Sequence, residues 1–239
     1  MFLFVTGGTA SGKSEYAEEQ AEALAYEAAL QASAAGDAEA AADKVKIIYA
    51  ATMSDRSSDS LERIKRHQLR RERAASKIHR NGVKNAAERA DSEKSVDGNK
   101  KDEIKKEINI KYETFECYTL DDAKRLAEYA AGRIVLFDCL SGFAANVMFG
   151  QPDDASGDPH QPPRPSKEQA AAALADTAAA LSCRCSSLVL VSDLIFSDGC
   201  SYDGDTLDYI DALAAASRTA AAAADSVVEV VCGIPVRIK

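Results

Sequence analysis

Short apolar runs alternate along this chain with longer stretches of helix-forming residues, and that alternation predicts its elements. Residues 2–5 hold two Phe, a Leu and a Val without interruption, the mark of a strand buried on both faces. Thr6 ends the run, and residues 15–35, rich in Ala, Glu and Leu, predict a helix. Gly36 and Asp37 interrupt it, and the Ala-rich residues 38–42 read as a lengthened helix end or a surface insertion. Residues 45–49 (VKIIY) predict a second strand, with Ala50, Ala51, Thr52 and Met53 at its carboxyl end. After a polar loop over 54–59, Ser60 is placed to cap a helix that carries SLERIKRHQLRRER. Residues 74–110 are dense in Lys, Glu, Asp, Asn and Ser and hold few large apolar side chains. A segment of that kind cannot build its own core and predicts a solvent-exposed insertion. Ile104 and Ile108, four apart, give it a weakly amphipathic helix.

Beyond the insertion the regular pattern resumes. Residues 111–117 alternate and predict a strand, and residues 120–131 predict a helix with Asp121 and Asp122 in its first turn and Gly132 past its end. An apolar strand over 134–137 ends in Asp138, and a short helix over 139–149 follows. Residues 151–166, rich in Pro, Asp and Gly, predict a loop or lid, and 167–181 an Ala-rich helix. A buried strand over 188–191 leads into a polar loop over 192–205, a helix over 207–224 and a strand over 227–231. Gly233 breaks that strand, and 235–239 predict an edge strand, where Pro235 is tolerable. Strands that alternate with helices throughout predict an α/β fold, with a mostly parallel sheet covered by helices on both faces. Crossovers are expected to be right-handed. The 239 residues suffice for one sizeable core, so residues 1–239 read as a single domain with an insertion at about 74–110 and a Pro-rich loop at about 151–166.

Charge narrows the partners. A net charge of −9, spread along the chain, argues against nucleic acid as a main partner, because phosphate backbones need a basic face. No stretch has the apolar length of a membrane span, and no basic segment precedes the first apolar run, so a cytoplasmic protein is expected. Cys117, Cys139, Cys183, Cys185, Cys200 and Cys232 lack zinc-ribbon spacing and read as reduced thiols.

Three stretches carry candidate chemistry. Gly7, Gly8, Thr9, Ala10, Ser11, Gly12, Lys13 and Ser14 fit G-x-x-x-x-G-K-[ST] between a predicted strand and a predicted helix, the phosphate-binding P-loop. The glycines let backbone N–H groups turn inward around a polyphosphate. Lys13 can reach the β- and γ-phosphates, and the Ser14 hydroxyl can ligate Mg²⁺. In the basic helix, His67 stands four residues after Arg63, three before Arg70 and four before Arg71, with Arg66 beside it. Neighbouring guanidinium groups disfavour imidazolium, so His67 keeps a free nucleophilic nitrogen, and arginines can hold phosphate oxygens bidentately. That arrangement suits attack on phosphorus, and it also fits a basic solvated helix face. Asp138, ending a strand, fits either an acidic group that assists Mg²⁺ or the cap of the next turn. Ala51, Thr52 and Met53 fit a nucleotide contact at the carboxyl edge of a parallel sheet, or plain small-residue packing.

These motifs occur in a specific order: VTGGTASGKS, IIYAAT, ERIKRHQLRR, YETFE, VLFDCLSGFAANVMF, LVLVS and the closing AAAAADSVVEVVCGIPVRIK. In that order they resemble the bifunctional adenosylcobinamide kinase / adenosylcobinamide-phosphate guanylyltransferase family of cobalamin biosynthesis, over a little more than half of the chain. The resemblance implies a P-loop α/β domain assembled as a trimer. It implies phosphorylation of adenosylcobinamide by ATP or GTP, then GMP transfer from GTP through a guanylyl-histidine, with Mg²⁺ as cofactor. By position His67 matches the guanylylated histidine, and Gln68, Leu69, Arg70 and Arg71 the segment beside it. Residues 7–14 match the phosphate loop, Ala51, Thr52 and Met53 a nucleotide contact, and Glu116 and Asp138 acidic nucleotide or Mg²⁺ contacts. Where the family usually has an Asn-Glu pair and a Gly-x-Gly leading to Pro, this chain has Asp193 and Leu194 and no such Pro. Ser217 and Arg218 replace an Asn-Gln in the last helix, and the family normally lacks residues 74–110. Two alternatives stand beside this reading: a P-loop small-molecule kinase in which His67 only holds phosphate, and a non-catalytic nucleotide-binding protein.

Overall fold

Side chains of period two divide between the two faces of a central sheet. In β1 (Phe2–Gly7), Phe2 and Phe4 pack on one side and Leu3 and Val5 on the other, all buried. The computed structural model describes residues 1–36, 46–53, 69, 110–150, 164–195 and 200–239. The remaining strands are β2 (Lys46–Ala51), β3 (Lys111–Glu116), β4 (Ile134–Asp138), β5 (Ser187–Asp193), β6 (Ser226–Val231) and β7 (Ile234–Arg237). They form one seven-stranded sheet in the order β3-β2-β4-β5-β1-β6-β7. Every pairing is parallel except that of β6 with β7. Strands buried on both faces read as unbroken apolar runs, as β1, β4 and β5 do.

Among the described residues, α1 (Lys13–Ala34) covers one face alone. Its Ala17, Ala21 and Ala25, at four-residue steps, let it pack with Leu3, Val5, Leu136, Val189 and Val191 in one cluster, and Ala29 continues the buried row. The other face carries α2 (Leu120–Tyr129), α3 (Leu140–Phe149), α4 (Lys167–Arg184) and α5 (Gly204–Ala223). Leu126, Phe143, Leu174, Leu181 and Leu213 from these helices join Phe4, Phe137 and Leu190 in the larger cluster. Phe137 and Phe143 meet edge to face with ring centroids 5.5 Å apart.

The chain has an α/β, P-loop NTPase-like fold with a mostly parallel sheet between helices. Boundaries shift for local reasons. Helix α1 starts at Lys13 because Gly12 supplies the left-handed turn before it (φ 93°). Helix α4 runs on to Arg184 and takes in Cys183, and α5 starts at Gly204 because the Asp203 side chain accepts from Thr206 N. Ile110 is buried in the α1-side cluster, so the exposed character expected over 74–110 does not reach its last residue. Residues 37–45, 54–68, 70–109, 151–163 and 196–199 lie outside the described residues. With them lie His67, Gln68, Arg70, Arg71, the rest of the expected insertion and most of the Pro-rich loop.

Candidate functional site

The carboxyl ends of the parallel strands converge on the loop after β1. Gly7 is in register with Asp193 of β5 on one side and Val230 of β6 on the other. A Cβ on Gly7 would stand 2.6 Å from the Val230 carbonyl oxygen, so no other residue fits without backbone movement. The loop closes with Ser11 N donating to Gly8 O at 3.2 Å. Neighbouring strands brace it: Leu194 N donates to Gly7 O at 2.9 Å, and Gly233 N, in the β6–β7 turn, donates to Ser11 O at 2.8 Å. Ser11 Oγ is buried without a hydrogen-bond partner among the described residues.

Helix starts differ in a way that points to a ligand. Helices α2 and α4 begin with capping boxes built on Thr119 with Asp122 and Ser166 with Gln169. Cys139 and Asp203 cap α3 and α5 with their side chains. Among the described helices α1 alone has no side-chain cap. Its first N–H groups therefore face the loop with the positive end of the helix behind them, which suits an anion.

Charged groups gather at the same edge. Lys13 is 4 % exposed, and its Nζ donates to Gly8 O at 3.1 Å and pairs with Asp193 Oδ1 at 2.6 Å. Ser141 Oγ donates to Asp193 Oδ2, and Cys139 Sγ lies 3.7 Å from the same oxygen. Ser14 Oγ lies 3.5 Å from Asp138 Oδ1, and Tyr49 OH lies 3.5 Å from Asp138 Oδ2. A hydroxyl and a carboxylate facing each other beside a phosphate loop are hard oxygen donors of the kind Mg²⁺ takes, with water and phosphate completing the shell. Burial first, then the charges of Asp138 and Asp193, push the Cys139 thiol up to about 12. It is therefore a neutral hydrogen-bonding group near pH 7, and its sulfur accepts from Gly142 N at 3.4 Å.

The structure brings Lys13, Ser14 and Asp138 together with the glycine loop. Thr52 is buried a strand away, where its hydroxyl donates to Cys139 O and accepts from Cys139 N, both at 2.8 Å. Its carbonyl accepts from Asn146 Nδ2 at 2.8 Å, so Thr52 ties β2 to the start of α3. Ala51 pairs in register with both Asp138 and Glu116, and Met53 is half-buried just beyond. Glu116 ends the outermost strand, four strand spacings from β1, roughly 19 Å along the edge. Leu69 is helical and exposed. Asp193, Ser141, Cys139 and Tyr49 are members of this cluster that motif reading did not assign. The available signal was a second strand, β5, ending in an acidic residue as β4 does.

A family model described as cobinamide kinase / cobinamide phosphate guanyltransferase matches residues 95–238. That span takes in β3 to β7, with Glu116, Asp138 and Asp193. No curated protein matches the chain.

Proposed function

The chain belongs to the cobinamide kinase / cobinamide phosphate guanyltransferase family, and from that premise we propose that it carries out two transfers at one triphosphate site. The family is one of nucleotide-using transferases of cobalamin biosynthesis. In the first transfer, the loop N–H groups and the uncapped start of α1 bind the phosphates of ATP or GTP, and Lys13 neutralises charge on the β- and γ-phosphates. The hydroxyl of the aminopropanol arm of adenosylcobinamide attacks the γ-phosphorus, and the nucleoside diphosphate leaves. Ser14 and Asp138 would hold Mg²⁺, which when bound neutralises phosphate charge.

In the second transfer, His67 attacks the α-phosphorus of GTP and expels pyrophosphate, leaving GMP on the imidazole nitrogen. A phosphate oxygen of adenosylcobinamide phosphate then attacks that phosphorus, the histidine leaves, and adenosylcobinamide-GDP forms. Gln68 and Leu69 stand beside the histidine, and Arg70 and Arg71 hold phosphate oxygens. Ala51, Thr52, Met53 and Glu116 line the nucleoside side of the edge. The working protein is a cytoplasmic homotrimer. No helix among the described residues is long and apolar enough to cross a membrane.

The observation that carries this reading is the placement of Lys13, Ser14 and Asp138 around the uncapped start of α1. Incubation with γ-labelled ATP or GTP tests it. Label is expected on adenosylcobinamide, and Lys13→Met is expected to lower the transfer rate by about a hundredfold or more, the scale of removing one preorganised donor. Tight GTP binding with no transfer to the corrinoid would favour a non-catalytic nucleotide-binding protein instead.

A further inference from the structure

We propose that Asp193 is a positioning residue, the resting counter-ion of Lys13, so that a polyphosphate enters the loop by exchanging places with a protein carboxylate. The inference rests on the triphosphate site proposed above and adds what the loop does before the triphosphate arrives.

Four observations carry it. The Lys13 side chain is almost out of water, at 5 % exposure, and an ammonium in that position needs a compensating charge. Asp193 supplies it at 2.6 Å, while Gly8 O takes a second Nζ proton at 3.1 Å. The lysine is thus folded back over its own loop. The carboxylate is held from behind, because Ser141 Oγ donates to Oδ2 while Lys13 pairs with Oδ1. The Ser141 carbonyl in turn accepts from Tyr209 OH on α5 at 3.1 Å, which fixes the start of α3. The main chain is fixed too, with Asp193 in register beside Gly7 and Leu194 N bonded to Gly7 O.

A triphosphate in the loop places its own oxygens where Lys13 must reach, and like charge sets them against Asp193. Since Ser141 anchors Asp193, the lysine is the group that turns. Binding energy is then spent on breaking the Lys13–Asp193 pair, and removing the carboxylate's charge should tighten anion binding. A residue that only supports the fold would leave binding unchanged or weaken it.

The test uses the full chain and inorganic tripolyphosphate, followed by calorimetry. Asp193→Asn keeps the shape and the contact to Ser141 but removes the charge. It is expected to bind tripolyphosphate about tenfold more tightly than the wild type, the scale of one charge-assisted hydrogen bond. The gain should vanish in the Lys13→Met background. Wild-type binding with no gain in Asp193→Asn, or with a loss, overturns the counter-ion role and leaves the triphosphate site standing. Absence of binding in both proteins overturns the site and this inference with it. Should Asp193→Asn fail to fold, the side-chain carboxyl carbon of wild-type Asp193, followed by ¹³C NMR, gives the same decision. It shifts on saturation with tripolyphosphate if the pair breaks, and an unmoved resonance overturns the proposal.

Discussion

Single residues at the carboxyl edge have sharply different surroundings, and two of them give direct predictions. Gly7 has no room for a methyl group, since a Cβ would meet Val230 O and Ser11 Oγ, each at 2.6 Å. Gly7→Ala is expected to destabilise the fold by about 1–3 kcal/mol, as overpacking does, and to weaken nucleotide binding, read by urea unfolding and GTP titration. Unchanged stability would mean that β6 can move away freely. Cys117 is fully buried, and burial followed by the nearby Asp122 charge pushes its thiol up to about 12. A folded pKa above the unfolded value of about 8.5 means that the folded chain keeps this proton longer. The contribution to stability is complete below the unfolded value and is lost as pH rises towards 12. Unfolding measured from pH 8 to pH 11 should show a fall that is smaller in Cys117→Ala. Alkylation at pH 8.5 should mark the exposed Cys183, Cys200 and Cys232 and spare Cys117, and rapid labelling of Cys117 would contradict its burial.

At the scale of elements, a side-chain cap separates the other described helices from α1. The Thr119 hydroxyl accepts from Asp122 N at 3.1 Å, and Asp122 Oδ2 accepts from Thr119 N at 2.9 Å. Thr119→Ala should lower stability by about 1 kcal/mol in urea titration and leave GTP affinity unchanged, because α2 lies away from the loop. A change in affinity would mean that α2 reaches the nucleotide. Most elements were legible from the chain itself. Apolar runs such as VKIIY and IVLFD, short and rich in β-branched and aromatic residues, favour strands over helices, and Asp121 and Asp122 mark a helix start. The glycine loop between β1 and α1 was legible because its glycines and lysine sit at fixed offsets. Strand order was not. Nothing local to SLVLVSD says that it lies beside β1, so the pairing of Asp193 with Lys13 could not be read from residues 180 apart. The double use of the Thr52 hydroxyl by Cys139 was hidden for the same reason, as it depends on β2 lying next to β4.

At the scale of the molecule, the parallel sheet sets the charges in a row. From the outer edge inward the strand ends carry Glu116, Ala51, Asp138, Asp193 and Gly7. The glycine loop after β1 occupies the inner end of that row. Guanylyl transfer as proposed requires that His67 reach the α-phosphorus of a GTP whose other phosphates are held by the loop after β1. The most direct measurement is covalent labelling with GTP carrying the label on its α-phosphate, followed by acid and base treatment and mapping of the labelled peptide. We predict an acid-labile, base-stable adduct on His67 that is absent in His67→Ala, a variant that still binds GTP, and that is discharged by adenosylcobinamide phosphate. A wild-type protein that binds GTP and turns over corrinoid yet never takes the α-label would contradict the account.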